Sequence, residues 1–146
     1  MDKRKRRMKH LEVVAAIIIY EKQILCMQRN KSNQEYISYK FEFPGGKVEN
    51  GETKPEALMR EIKEEMNISV YISDKDFFFT VHHVYPDFEI TMHSYTCTVN
   101  TKEFVRKEHI DHKWMYLDEI MSLDWAAADI PIIEKLMELK KDELSR

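Results

Sequence analysis

All three glycines of this 146-residue chain, Gly45, Gly46 and Gly51, fall within seven positions of one another, directly ahead of a segment whose helical start and stop are both spelled out. Thr53 can cap a helix, Glu56 three residues later completes a capping box, and Pro55 is tolerated in the first turn. Asn67 is the best non-glycine residue for the left-handed position that ends a helix. A helix over Lys54–Met66 is therefore predicted. Pro44-Gly45-Gly46 lets the main chain pass close to a ligand, and Gly51 with Asn50 suits a tight turn that needs positive φ.

Other elements arrange themselves around that helix. Residues 11–19 form a nearly continuous apolar run with the β-branched content of a buried strand. A second strand covers Gln23–Gln28, with Tyr20, Glu21 and Lys22 turning between them, and the polar stretch 30–38 reads as a loop. Residues 77–84 and 89–99 read as two strands joined across Pro86 and Asp87, and 113–117 as one more. Residues 130–144 read as a final helix with Pro131 in its first turn. Strands and helices interleave, so the expected class is α+β, a mixed sheet sandwiched between helices.

Composition removes several functions. With 43% hydrophobic and 34% charged residues the chain suits a single globular domain over 11–146, preceded by a basic tail over 1–10. Lys3, Arg4, Lys5, Arg6, Arg7 and Lys9 read as a solvated tail, since like charges repel and nothing there can be buried. A net charge of -3 is a poor footprint for nucleic acid, and no stable nucleic-acid complex is expected. No secretory signal or membrane-length apolar run is visible, so a cytoplasmic protein, monomer or homodimer, is expected. Cys26 and Cys97 read as buried small hydrophobes. Neither His82 with His83 nor His109 with His112 has zinc spacing with them. Phe77, Phe78, Phe79 and Trp114 read as core.

The chemistry lies on the central helix. Glu61, Glu64 and Glu65 stand at i, i+3 and i+4, so three carboxylates share one face about 5–6 Å apart. They repel unless a cation sits among them. Hard oxygen ligands with no histidine or cysteine nearby suit magnesium, with manganese as a substitute, and such ions bind phosphate oxygens at the same time.

Gly46, Glu52, Arg60-Glu61-Ile62, Glu64-Glu65 and Ile68 fall at the spacings of the Nudix box, and the chain resembles the Nudix hydrolase family over residues 11–139. One position departs: Asn67 stands where the box has its last glycine, a change the left-handed tolerance of Asn should absorb. The 39–47 segment, the Tyr85-Pro86-Asp87 turn, Trp114 and residues 125–131 resemble the MutT-type branch, with closest likeness to CTP pyrophosphohydrolases.

That resemblance implies a Nudix fold and a magnesium-dependent hydrolase releasing a nucleoside monophosphate and pyrophosphate. CTP, dCTP or a modified pyrimidine nucleotide is the first expectation for its substrate. Removal of 8-oxo-dGTP is one alternative, and a non-catalytic nucleotide-binding module another. It further implies metal ligation by Glu61, Glu64 and Glu65 with the Gly45 carbonyl, and bracing of the loop by Glu52 and Arg60. The general base is Glu61 or Glu108, the latter also a metal ligand. Arg29 and Lys47 are the candidates for holding phosphates. Asp129 either caps the last helix or reads the base, and Phe79 or Tyr85 is the candidate for stacking on that base.

Overall fold

A computed structural model describes residues 8–139 of the chain. Lys3, Arg4, Lys5, Arg6 and Arg7 lie outside them. The elements run β1 (Lys9–Tyr20), β2 (Gln23–Gln28), β3 (Phe41–Glu42), β4 (Gly45–Lys47), α1 (Lys54–Met66), β5 (Phe77–Val84), β6 (Phe88–Thr98), β7 (Asp111–Tyr116) and α2 (Ile130–Met137). Among them no helix is long and apolar enough to cross a membrane.

β1 carries the continuous apolar run because both of its faces are covered. Val14, Ala16 and Ile18 pack with Ala57, Leu58, Ile62 and Met66 of α1. Ala15, Ile17 and Ile19 pack on the other face with Ile132, Ile133 and Leu136 of α2. Period-two alternation in one strand thus feeds two cores, and the sheet is sandwiched between helices as expected.

The sheet is mixed. β1 runs parallel to β6 from the Lys9–Phe88 pair to the Ile19–Thr98 pair, and β6 is antiparallel to β5. On its other side β1 meets β2 only at the hairpin end, through the Ile19–Ile24 and Tyr20–Gln23 pairs. Glu21 and Lys22 turn that hairpin with φ of 43° and 70°, the positive values that match strand twist. Beyond it β1 and β2 part, and two short strands not anticipated from sequence enter the gap. β4 pairs with β1 at Val13, Val14 and Ala15, and β3 pairs with β2 at Met27 and Gln28. The glycine segment is therefore built into the sheet.

Several expectations shift, among them the last two strands, which run Phe88–Thr98 and Asp111–Tyr116 instead of 89–99 and 113–117. β1 begins at Lys9, two residues early, because Lys9 and His10 extend the ladder with Phe88 and Glu89. The last helix ends at Met137, where Glu138 and Leu139 donate to carbonyls three residues back, tightening the final turn; residues 140–144 lie outside the described region. Phe77 is half-exposed at 48% because its side chain sits at the sheet margin, edge-on to Tyr95. Cys26 and Cys97 are buried free thiols, and burial pushes them up to about 12 and about 11.

Candidate active site

α1 begins and ends where its caps dictate. Thr53 accepts from the Glu56 N–H and Glu56 accepts from the Thr53 N–H, the reciprocal pair of a capping box. At the other end Asn67 takes φ 56° and ψ 34°, and its N–H donates to the Lys63 carbonyl. The missing glycine of the motif is replaced without loss of the turn. Gly51, at φ 84°, supplies the positive value predicted for it.

Arg60 ties this helix to the glycine loop. Its Nε donates to Glu52 at 2.6 Å and one terminal nitrogen to the other Glu52 oxygen at 3.0 Å, a bidentate pair. The same nitrogen reaches the Lys47 carbonyl at 3.0 Å. The second terminal nitrogen binds Glu61 at 3.0 Å and Glu64 at 3.2 Å. Hydrogen bonding to Arg60 holds Glu52 below the usual carboxylate range and raises the guanidinium itself.

The two adjacent glycines are required by close approaches within the protein. A Cβ on Gly45 would lie 1.9 Å from the Val14 carbonyl oxygen, and one on Gly46 would lie 2.3 Å from the Glu61 carboxyl carbon. Sequence alone suggested close approach to a ligand; the nearer partners are β1 and Glu61. Only a bare backbone lets the Glu61 carboxylate settle against β4.

The acidic side chains then diverge in environment. Glu64 points outward with its side chain 59% exposed. Glu61 is partly buried, and desolvation raises it despite Arg60. Glu65 is pushed up to about 8 by burial first and then by the charges of Glu108, Glu61 and Glu42. Its Oε2 is buried with no hydrogen-bond partner among the described residues. An orphaned carboxylate oxygen facing other carboxylates suits a cation, and an all-oxygen donor set fits magnesium or manganese. Among the described residues no three such side chains already close to ligating distance, since Arg60 draws Glu61 and Glu64 to itself.

Glu65 and Glu108 sit at one end of a cavity of about 600 Å³, with Arg29, Lys47, Gly45 and Gly46 also in its wall. Arg29 donates to Glu42 at 3.1 Å, while its Nε is buried with no hydrogen-bond partner among the described residues. The cavity wall therefore includes both an orphaned cationic donor and an orphaned carboxylate. Its other end is lined by Phe43, Tyr85, Phe88, Ile90, Met92 and Asp129. Tyr85 accepts from the Ala128 N–H and stacks on Tyr36 at 5.1 Å.

Asp129 does not cap α2, since no capping hydrogen bond is made by its side chain. It is 4% exposed and accepts instead from the Phe43 N–H at 3.2 Å. Burial and the nearby Glu42 push its carboxyl well above the ordinary value of 3.8. Phe79 stands apart: its ring packs under α2, with Lys135 Nζ 5.9 Å from the centroid. Two lining residues, Glu42 and His109, escaped the sequence reading. Their side chains meet at 2.8 Å. A lone acid between Phe41 and Phe43, in a stretch about to end in glycines, was the available signal for the first; His109 had only its place after Glu108.

Comparison with known proteins agrees with this geometry. The NUDIX domain family matches residues 9–136. The 8-oxo-dGTP diphosphatase of Escherichia coli K12 is 32% identical over 132 residues, covering 90% of this chain and 100% of that one. The CTP pyrophosphohydrolase of the same strain is 32% identical over 143 residues, covering 91% and 96%. The solution structure of the E. coli ORF135 protein superposes with a TM-score of 0.77 at 31% identity, covering 97% of this chain and 98% of that chain. Among the curated relatives 8-oxo-dGTP diphosphatase is the commoner name, which corrects the expectation of a closest likeness to CTP pyrophosphohydrolases. With the box matched at every position but Asn67, its helix capped, and Glu65 and Glu108 lining a cavity beside the glycine loop, the chain belongs to the Nudix family and is a hydrolase of the MutT-type branch.

Proposed function

We propose that this hydrolase cleaves nucleoside triphosphates to the monophosphate and pyrophosphate, with an oxidised guanine nucleotide of the 8-oxo-dGTP type as its preferred substrate. The observation that carries the reading is a single cavity with orphaned ionic groups at one end and an apolar, aromatic end closed by a buried acid. A triphosphate needs the first and a base the second. Glu61, Glu64 and Glu65 with Glu108 and the Gly45 carbonyl would hold magnesium. When bound, magnesium supplies charge neutralisation and Lewis acidity at the phosphates. Arg29 and Lys47 hold the outgoing phosphate oxygens. Glu108 accepts the proton of the attacking water, because Glu61 is committed to Arg60. Arg60 and Glu52 keep the glycine loop braced against α1.

The base preference rests on the commoner name among the relatives and on the chemistry of Asp129. Burial favours the protonated form of this carboxyl, and in that form it offers both a donor and an acceptor, which can pair with a carbonyl and an adjacent ring N–H of oxidised guanine. The second reading is CTP or dCTP. It is supported by the equal identity to the CTP enzyme and by the match of the same donor and acceptor to cytosine N3 and its exocyclic amine.

Turnover in ¹⁸O-labelled water tests the reaction. Attack at the β-phosphorus forms a new bond from water oxygen to that atom and expels the bridging oxygen with the monophosphate, so label appears in pyrophosphate. Label in the monophosphate, or inorganic phosphate as first product, would refute that step. Competition between 8-oxo-dGTP and CTP in one vessel, read as the ratio of kcat/KM, decides the base.

A further inference from the structure

The segment between β6 and β7 has no regular structure, and nearly every residue from 101 to 110 is exposed, Glu108 included. Its fixed points are few. The Val105 N–H donates to the Met66 carbonyl at the end of α1, and the Ile110 N–H to the Gln28 carbonyl at the end of β2. Phe104 packs against the α1 core and edge-on to His112. Among the described residues no backbone–backbone hydrogen bond holds residues 106–109 themselves, yet the charge of Glu108 bears on Glu65.

Within that span Arg106 reaches the nearby His112, with Nη1 2.8 Å from Nδ1, whereas His109 is tied to a different strand. Its side chain is 9% exposed, and Nε2 lies 2.8 Å from Oε2 of Glu42. Glu42 is fixed in turn, on β3 and by Arg29 Nη1 at 3.1 Å from its other oxygen. An ionised carboxylate only accepts, so the imidazole donates. The loop is thereby latched to a rigid strand by the residue immediately after Glu108.

We propose that His109 is a positioning residue which, through Glu42, holds Glu108 against the carboxylate end of the cavity. The inference rests on the catalytic reading of Glu108 given above. Glu108 has an exposed side chain on an irregular loop, and fixing its neighbour removes most of the conformations it must otherwise leave before each turnover. His109 and Arg29 together occupy both oxygens of Glu42, keeping a fifth acid from competing for the cation.

The test compares wild type, His109→Ala, Glu108→Gln and the double variant as full-length chains, with kcat and KM measured separately. Amide hydrogen exchange over residues 100–110 is followed in the same proteins without nucleotide or metal. His109→Ala is expected to lower kcat about tenfold with KM changed by less than about twofold. The double variant should be no slower than Glu108→Gln, because two residues acting as one unit are not additive. Exchange should quicken between Val105 and Ile110, and His109→Gln, which retains an N–H donor, should restore most of kcat. Multiplied losses in the double variant, or exchange unchanged by His109→Ala and His109→Gln alike, would overturn the latch. Wild-type turnover by Glu108→Gln would instead overturn the role of Glu108, and the exchange comparison would still decide whether His109 fixes the loop.

Discussion

The two ends of the cavity are built in opposite ways. The carboxylate end comes largely from one continuous stretch, in which a glycine pair, a bracing glutamate, an arginine and three helical acids are fixed by local geometry. The apolar end is assembled from parts far apart in sequence: Phe43 after β3, Tyr85 and Phe88 around the β5–β6 turn, and Asp129 ahead of α2. A site encoded in one segment is robust to drift elsewhere, because its spacing is set by helical periodicity. One made of separated segments can change its preference through any of them, and a family can keep its chemistry while altering its substrate.

Removing charge at the carboxylate end should have the largest effect. Glu65→Gln keeps the shape and loses the ligand, and we expect activity to fall by about 100-fold or more, some 2.7 kcal/mol of transition-state stabilisation. Glu64→Gln should also lose most activity, but by a smaller factor than Glu65→Gln, because its side chain is exposed while Glu65 carries the orphaned oxygen. Steady-state rates in saturating magnesium, with circular dichroism to confirm the fold, measure both. Wild-type turnover by either variant would remove that residue from the ligand set.

A smaller effect is expected at Gly46, where only the close approach to Glu61 is disturbed. The atoms that an added Cβ meets belong to the far end of a flexible side chain, so the protein can yield by moving that carboxylate. Gly46→Ala should therefore cost little thermal stability and about tenfold in kcat, from a displaced ligand. Loss of stability without loss of rate would mean that Glu61 has no need of its seat against β4.

The contrast between the ends also marks what the sequence could disclose. The helix Lys54–Met66, its box and its left-handed Asn67 are local events, and every one is written in neighbouring residues. The buried strand β1 was legible through its apolar run. The short strands β3 and β4 were not, since a strand of two or three residues has no periodicity and exists only because β1 and β2 part. Glu42 and His109 are far apart in the chain, and nothing local to either announces their contact. Phe79 illustrates the converse: an aromatic in a strand has two faces to choose from, and only tertiary packing sets it beneath Lys135. Asp129 at the head of a helix looks like a cap until the Phe43 N–H is found within its reach.

The smallest and most discriminating change is Asp129→Asn. The amide still accepts from the Phe43 N–H, so the fold should be retained, but it cannot ionise and its donor and acceptor are fixed. The folded carboxyl sits well above its ordinary 3.8, so the native state keeps its proton where the unfolded chain has released it. That contribution is fully present below the unfolded value and is lost as pH rises toward the folded one. Denaturation midpoints measured from pH 4 to pH 8 should accordingly move in favour of the Asn variant as pH rises. A parallel pair of curves would show that Asp129 carries no shifted proton. In catalysis the expected change is a few-fold shift in the kcat/KM ratio between 8-oxo-dGTP and CTP, about 1 kcal/mol of discrimination, with the rate at the carboxylate end otherwise preserved. An unchanged ratio would place base selection on Tyr85 and the apolar wall, and Asp129 would then serve only to fasten Phe43 to the start of α2.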